Sequence, residues 1–379
     1  MSRLAPRLAT SLAILLAALG SPVLAADWAE DTDDSGGFRG SYADEPKNWS
    51  GLGTEDDTIH IETGVRYWYS MGAQKMSLDG DDYEVNDTAH TGEAYIRLDD
   101  HASRTYAKAW AGYSMAINGT YDNPSAGGDV TDGKIGYAGA DFGWNAFGDG
   151  NGSGVGAFVG YQYWNDSPRT DRTSYTTARS TSDIAWNPNT GDWSVGGDSE
   201  DSNFELDMLR MGFSGKAVIN DFFDISAEVA AVPYARISGT QGGMEDSSNF
   251  SGPGCGSAPP APCPVEPILA SAVSVDGWGY GGMAEVMAGI HPTENLTFRL
   301  GARAWYVGGT YDATYTGVFV TPPQYKPEID DPNSVDPLDT IPDTPPYSAP
   351  SLTTQDFIST ENPFSLFRYG LLAEMTYTF

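Results

Sequence analysis

Long segments of strictly alternating apolar and polar residues constrain the fold of this chain more than any other feature. In residues 59–70 one parity reads Ile, Ile, Thr, Val, Tyr, Tyr, while the other reads His, Glu, Gly, Arg, Trp, Ser. The same alternation recurs in 223–237 and 296–306. A β-strand places such sets on opposite faces. Strands in globular proteins typically have about 5 to 6 residues, so these longer segments indicate tilted strands that cross a bilayer.

The spacing of these segments predicts a closed barrel. Ten segments alternate in this way: 58–72, 93–100, 104–117, 133–147, 154–164, 203–218, 222–240, 276–290, 296–315 and 366–379. Long connections are expected at 73–92, 118–132, 165–202, 241–275 and 316–365, and short turns at 100–103, 148–153, 219–221 and 291–295. Long and short connections therefore alternate. We predict an all-β, ten-stranded antiparallel transmembrane β-barrel with long extracellular loops, short periplasmic turns and both termini on the periplasmic side.

The N-terminal region predicts export. Residues 1–25 combine Arg3 and Arg7, a short apolar run and a Val-Leu-Ala cleavage site, as in a secretory signal peptide. The apolar run is too short to cross about 30 Å of hydrocarbon as a helix. Residues 26–57 are acidic and rich in Gly and Ser, so we expect them to form a separate segment before a barrel of 58–379.

Net charge excludes one broad class of function. The chain has 52 Asp and Glu against 20 Lys and Arg, a formal net charge of −32 at pH 7. Nucleic acid binding depends on Lys and Arg that neutralise phosphates, so we expect no nucleic acid partner. A hydrophobic fraction of 40% argues against a disordered chain. With the export signal, these features predict a barrel in the outer membrane of a Gram-negative bacterium.

The polar parity of the strands predicts a network of charges inside the barrel, with a mixed and somewhat basic character. Its candidate members are Glu62, Arg66, Arg210, Glu228, Arg236, Glu285, Arg299 and Arg303. A hairpin closing at Thr293 would place Glu285 diagonal to both Arg299 and Arg303. Such charges could select ions in a narrow ion or small-solute pore. They could also form a packed polar core, which we favour because eight-stranded barrels fill with side chains and only much larger ones leave a channel.

The last strand carries a second signal. Residues 369–379 alternate up to Phe379, with Tyr377 two positions earlier. This resembles the C-terminal assembly signal of bacterial outer-membrane barrels. The resemblance implies that Tyr377 and Phe379 are recognised by the barrel assembly machinery.

Ten strands with large loops resemble the omptin family of outer-membrane proteases. The similarity rests on residues 371–379 and on Gly212-Phe213-Ser214-Gly215 before a short turn. It implies a site in which an Asp pair of the second loop faces an Asp-His pair of the fourth loop, which together would activate a water. The second loop here offers Asp122, Asp129 and Asp132, and the fourth offers Glu245 and Asp246 but no histidine.

Histidine usage therefore argues against proteolysis. The chain contains only His60, His90, His101 and His291, of which we expect only His90, at the top of the first loop, to face the outside. Catalysis thus stays uncertain, and no catalytic residue is assigned. We expect an integral outer-membrane barrel of structural or surface-interaction type. A narrow pore and an omptin-like endopeptidase with a divergent site are the alternatives.

Other sites are sparse in the sequence. Cys255 and Cys263 are expected to form a loop disulfide, because two cysteines in an exported chain more often pair than bind a metal. No motif for a cofactor or metal is found. The expected partners are outer-membrane lipid, lipopolysaccharide and the assembly machinery, with a monomer as the default state.

Overall fold

A computed structural model describes residues 59–78, 80–122, 127–148, 153–170, 172–241, 250–255, 267–325 and 347–379. The predicted signal peptide, residues 1–25, and the predicted acidic segment 26–57 lie outside the described residues. Ten long strands dominate the fold: β1 (Ile59–Leu78), β2 (Asp81–Asp100), β3 (Thr105–Asp122), β4 (Gly133–Gly148), β5 (Gly154–Pro168), β6 (Asn203–Asn220), β7 (Phe223–Gln241), β8 (Val273–Ile290), β9 (Leu296–Thr321) and β10 (Ser351–Thr378). No helix in the described ranges is long and apolar enough to span a membrane.

The ten strands form a closed antiparallel ring. Each strand pairs with its neighbour in sequence, and β10 pairs with both β9 and β1, so that Met76 lies opposite Phe364 and Glu62 opposite Thr378. The predicted ten-stranded antiparallel barrel is therefore confirmed. Four short turns and both ends of the ring, Ile59 and Phe379, lie at one end of the barrel. We call the opposite end, which holds the tight β1–β2 turn at Gly80 and the longer connections, the mouth.

Several predicted loop boundaries are wrong. In the expected long connection 73–92, residues 73–78 and 81–92 are strand, and Gly80, with φ +96°, lies in the turn between them. Likewise, the expected loop 316–365 is shortened from both sides, because β9 continues to Thr321 and β10 begins at Ser351. Alternation is weaker in these stretches because strands beyond a bilayer have water on one face and no lipid to require apolar residues. β9 and β10 thus project well past the mouth as a long hairpin.

The outer face of the ring is an apolar belt. In β1 the exposed side chains are Val65, Tyr67, Tyr69 and Met71, whereas the intervening positions are buried. The strand register places one group of exposed aromatic residues toward the short turns and a second group toward the mouth. The first includes Phe142, Trp144, Phe147, Phe213, Phe298, Tyr377 and Phe379; the second includes Tyr67, Tyr69, Tyr113, Tyr161, Tyr234, Tyr280, Tyr306 and Tyr369. Two girdles of aromatic residues on either side of an apolar band are typical of a transmembrane β-barrel.

The interior is filled by large side chains packed across the lumen. Trp164 stacks on Tyr137 with ring centroids 4.9 Å apart and meets Trp305 edge to face at 4.6 Å. Glycines allow these rings to lie flat against neighbouring strands: a Cβ at Gly139 would collide with the ring of Trp110, and one at Gly112 with that of Tyr137. These two glycines therefore serve interior packing.

The longer connections are folded at the mouth. Short strands pair as Thr173–Thr176 with Gly197–Glu200, and as Ala185–Trp186, Trp193–Ser194 and Ser251–Gly252 in one small sheet. Pro267–Leu269 pairs with β9. Together they enclose a second apolar cluster beside the projecting hairpin, formed by Ala178, Ile184, Trp193, Val195, Ile268, Ala270, Val318 and Val320.

Candidate functional site

The centre of the lumen holds a buried cluster around Glu93 of β2. Its side chain is fully buried. It contacts Arg66 at 3.2 Å and Arg303 at 2.9 Å, and it accepts a hydrogen bond from the Tyr137 hydroxyl at 2.8 Å. Glu285 also contacts Arg303 at 2.7 Å and lies 3.9 Å from Arg66. β2 and β9, which are separated by β10 and β1 in the ring, are thus joined through their side chains, and Tyr137 links them to β4.

A second group of charges lies nearer the short turns. Arg299 contacts Glu62 and Glu374, each at 2.6 Å, and lies 3.7 Å from Asp224. The other oxygen of Glu374 accepts a hydrogen bond from Arg66, which connects this group to the central cluster. The Thr376 hydroxyl donates to Glu62 at 2.5 Å. The network therefore continues along the lumen toward the short turns.

The other wall of the lumen carries a compact group of four charges. Arg210 contacts Glu228 at 2.9 Å and Asp141 at 3.4 Å. Lys108 contacts Asp141 at 3.1 Å and also pairs with Glu228. Each cation thus meets both carboxylates. Such mutual pairing is what allows charges to remain buried, since an isolated ion would be costly there.

Toward the mouth, Arg368 is fully buried between two carboxylates. It contacts Asp87 at 2.7 Å and Asp166 at 3.6 Å, and it donates to the Ser70 hydroxyl at 3.2 Å. The layer of Trp68, Trp164, Trp305 and Tyr137 lies beside the central charges. Between this layer and the charges a cavity of about 30 Å³ remains, lined in part by Arg66, Lys108 and Gln162. A cavity of this size holds roughly one or two water molecules.

One histidine lies at the short-turn end of the network. His291, in the turn between β8 and β9, has Nε2 at 2.9 Å from Asp224 and Nδ1 at 3.0 Å from the Thr297 hydroxyl. A neutral ring protonated on Nε2 satisfies both contacts by donating to the carboxylate and accepting from the hydroxyl. Burial lowers the pKa of His291 below its usual range, and Lys216 and Arg299 act in the same direction against the opposing effect of Asp224.

Seven of the eight predicted network residues lie together in the lumen: Glu62, Arg66, Arg210, Glu228, Glu285, Arg299 and Arg303. Arg236 does not. It faces outward and contacts Asp276 at 2.7 Å, with roughly half of its side chain exposed. A β-bulge between Val232 and Ala235 inserts an extra residue and reverses the parity of β7 beyond it. Pro233 marks that bulge, because proline cannot donate to the strand ladder.

The expected pairing of Glu285 also needs correction. The β8–β9 register places Glu285 directly opposite Arg303, not diagonal to both arginines, because the hairpin closes with Ile290 opposite Phe298. Arg299 therefore binds Glu62 and Glu374 instead.

The described lumen is slightly acidic rather than somewhat basic. Inward-facing carboxylates outnumber inward-facing cations by ten to eight: Glu62, Asp87, Glu93, Asp99, Asp141, Asp166, Asp224, Glu228, Glu285 and Glu374 against Arg66, Arg97, Lys108, Arg210, Lys216, Arg299, Arg303 and Arg368.

Sequence reasoning missed Glu93, Asp87, Asp166 and Arg368 as members of the network. Glu93 is the first residue of the predicted segment 93–100 and shares the parity of Tyr95 and Arg97, so the alternation already placed it on the inner face. Asp87 and Asp166 were hidden because both fall in stretches expected to be loops. No local pattern indicated that Arg368 of β10 would meet these two aspartates across the lumen.

The residues considered for proteolysis do not converge in the described structure. His90 lies in the middle of β2 on the outer face, not at a loop tip, and its Nδ1 is 2.5 Å from the Tyr67 hydroxyl. Asp122 ends β3, Asp129 pairs with Thr120, and Asp132 contacts Arg169 at 3.2 Å on the surface. Glu245 and Asp246 lie outside the described residues. The described ranges contain no group of three His, Cys, Asp or Glu side chains that could hold a metal ion.

Two further predictions concern the last residues of the chain and the two cysteines. Tyr377 and Phe379 are both exposed on the outer face, with their rings 4.8 Å apart, and the Phe379 amide donates to the Ile61 carbonyl at 2.9 Å. Their role in assembly stays a prediction. Cys255 is disulfide-bonded. Cys263, the other cysteine of the chain, lies outside the described residues.

No family model and no curated protein matches the sequence. Solved structures with a similar fold include the outer membrane protease OmpT from Escherichia coli, at 10% identity and a TM-score of 0.49, covering 87% of this chain and 100% of that one. The translocator domain of the autotransporter NalP from Neisseria meningitidis shows 11% identity, coverages of 87% and 90%, and a TM-score of 0.31. A Pseudomonas aeruginosa FadL homologue shows 11% identity, coverages of 85% and 90%, and a TM-score of 0.29. These likenesses carry no information about the activity of this chain.

Proposed function

We propose that this protein is an integral outer-membrane barrel with a closed lumen, which acts through the surface at its mouth rather than by conducting solutes. The observation that carries the proposal is the continuous filling of the lumen. Paired charges extend from Glu62 past Glu93, and an aromatic layer with Arg368 fills the lumen toward the mouth. An ion entering this path would have to displace charges that are held in buried ion pairs, which is costly in a desolvated interior.

The outer membrane is proposed as the location because the predicted signal peptide implies export and the apolar belt requires a bilayer. Only closed barrels or helices can span one, since every backbone group must be paired within the protein. We propose that the mouth faces outside the cell, as in barrels whose long connections are extracellular. Lipid contacts the belt. Lipopolysaccharide is proposed to contact the polar side chains on the mouth side of the exposed tyrosines. These side chains include Lys75, Arg236 and Asp276.

Planar-bilayer recording tests the closed lumen. The refolded protein should produce no conductance steps, while a sixteen-stranded porin in the same bilayers provides the positive control. A Glu285→Gln variant, which removes one buried negative charge, should also be silent. Conductance steps in the wild-type protein, with a reversal potential that changes in Glu285→Gln, would establish the narrow pore instead. A peptide-library cleavage assay on the same preparation should show no cleavage beyond a heat-inactivated control; reproducible cleavage would favour the divergent endopeptidase.

A further inference from the structure

A small pocket opens at the mouth, above Arg368 and its two aspartates. It lies between the upper parts of β1, β2 and β3 and the start of β6, and it is separate from the central cavity. Its walls are largely apolar and aromatic, formed by Met76, Tyr83, Val85, Tyr121 and Phe204. Its uncharged polar lining consists of amides and hydroxyls from Gln74, Gln241, Thr170 and Ser202, and two acids, Glu84 and Asp122, lie at its rim. Apolar walls with a few polar groups are the usual composition of a small-molecule site.

Two of these polar groups are buried without a partner among the described residues. Gln241 is 2% exposed, and its Oε1 accepts a hydrogen bond from the Tyr311 hydroxyl at 3.3 Å. Its Nε2 has no described acceptor. The Thr170 hydroxyl, on a residue 5% exposed, likewise has none. Unpaired buried polar groups reduce stability, so each calls for an explanation such as a ligand.

The composition of the lining selects the class of ligand. A pure hydrocarbon would leave Gln241 Nε2 and the Thr170 hydroxyl unpaired. An anion would be repelled by Glu84 and Asp122, which face each other across β2 and β3 at the rim. The lining contains no basic side chain, so nothing within it compensates an anion, and of its two acids Glu84 is already paired with Lys75 at 2.9 Å. An uncharged ring that has hydroxyls on its edge and C–H groups on its face satisfies both the amides and the aromatic walls.

We propose that this pocket, which we call the mouth pocket, binds an uncharged sugar residue. The cavity of about 30 Å³ admits a group the size of a hydroxymethyl arm. The sugar ring then lies in the open part of the pocket against Tyr83 and Tyr121. Gln241 donates to a sugar oxygen, and Thr170 exchanges a hydrogen bond with a neighbouring hydroxyl. The proposal rests on the proposed function, because it names the ligand class that the mouth surface recognises.

Saturation-transfer NMR tests this proposal with defined probes: methyl β-glucoside, methyl β-galactoside, N-acetylglucosamine and, as an anionic comparison, glucuronic acid. The refolded protein is kept in a detergent without a sugar headgroup. At least one neutral probe should receive saturation, and glucuronic acid should bind at least tenfold more weakly. No transfer to any neutral sugar would overturn the proposal, and equal binding of glucuronic acid would overturn the uncharged class.

Two variants assign binding to the pocket. Gln241→Met keeps the side-chain length and removes the unpaired amide, so affinity should fall at least tenfold while the unfolding midpoint stays equal or rises. Thr170→Val should also weaken binding. Asn118→Ala, at an exposed position on β3 outside the lining, should leave affinity unchanged. Wild-type affinity in Gln241→Met would overturn the assignment. Because the sugar assay does not depend on conductance, a silent lumen without sugar binding refutes this inference alone.

Discussion

Glu93 is the residue on which the central network depends most. Its carboxylate compensates Arg66 and Arg303 together and accepts from Tyr137. A Glu93→Gln substitution keeps the shape but leaves two buried guanidinium groups undercompensated. We expect the free energy of unfolding to fall by about 3–5 kcal/mol, because breaking a buried pair leaves an uncompensated charge. Urea unfolding of the barrel in lipid vesicles, followed by tryptophan fluorescence, measures this loss.

The matched control is Glu84→Gln on the same strand. Glu84 contacts Lys75 at 2.9 Å, but the two side chains are 38% and 61% exposed. Screening by water limits such a pair to about 0–1 kcal/mol. Equal stability losses in the two variants would mean that the lumen is hydrated, and the closed barrel would then have to be abandoned.

His291 predicts a specific pH dependence of stability. The pKa of this residue is lowered in the folded protein from an ordinary value of 6.5. The unfolded chain therefore binds the extra proton more readily, so stability should be highest above pH 6.5 and decrease as the pH falls below it. A His291→Gln substitution keeps a donor to Asp224 but does not titrate. It should therefore reduce the change in stability between pH 7 and pH 5.5. Unfolding midpoints across this range test the prediction. An identical slope in the variant would assign the dependence to other groups.

At the scale of elements, the bulge in β7 explains why one predicted residue lies on the wrong face. Because the extra residue lies at Pro233 and Tyr234, its removal restores continuous pairing with β6 and β8 while every other side chain keeps its face. Deleting Pro233 should therefore preserve folding, detected as unchanged heat-modifiable migration in gels. Deleting Ala227 instead should exchange the inward and outward faces of the residues that follow it in β7. Glu228 would then face lipid. We expect that variant not to fold, and a folded Ala227 deletion would show that the faces of β7 are not fixed by register.

Strand pairing across the membrane could be predicted from sequence, whereas strand length beyond it could not. Within the belt, lipid on one side and packed charges on the other enforce strict alternation, as in β1 between Val65 and Met71. On the mouth side of the exposed tyrosines, lipid no longer requires one apolar face, so residues 81–86 have the sequence of a loop although they pair with β1. The long β9–β10 hairpin was missed for the same reason.

For the whole molecule, the barrel and most of its lumen network follow from the alternation alone. The mouth does not. Its apolar cluster joins Trp193, Ile268 and Val318, which are widely separated in sequence. The mouth pocket likewise combines Gln74 with Gln241 across the ring. Such groupings depend on the shear of the closed sheet and on loop packing, neither of which a single sequence displays.

The orientation of the whole molecule can be tested with a pair of cysteine variants. Arg169 lies on the surface at the mouth, at the start of the β5–β6 connection, and Arg104 lies in the short β2–β3 turn at the opposite end. Both are exposed, and Cys255 cannot react because it is disulfide-bonded. If the mouth is extracellular, a membrane-impermeant maleimide should label Arg169→Cys on intact cells but label Arg104→Cys only after the outer membrane is permeabilised. The reverse pattern would place the mouth in the periplasm, and the surface role proposed for it would then be impossible.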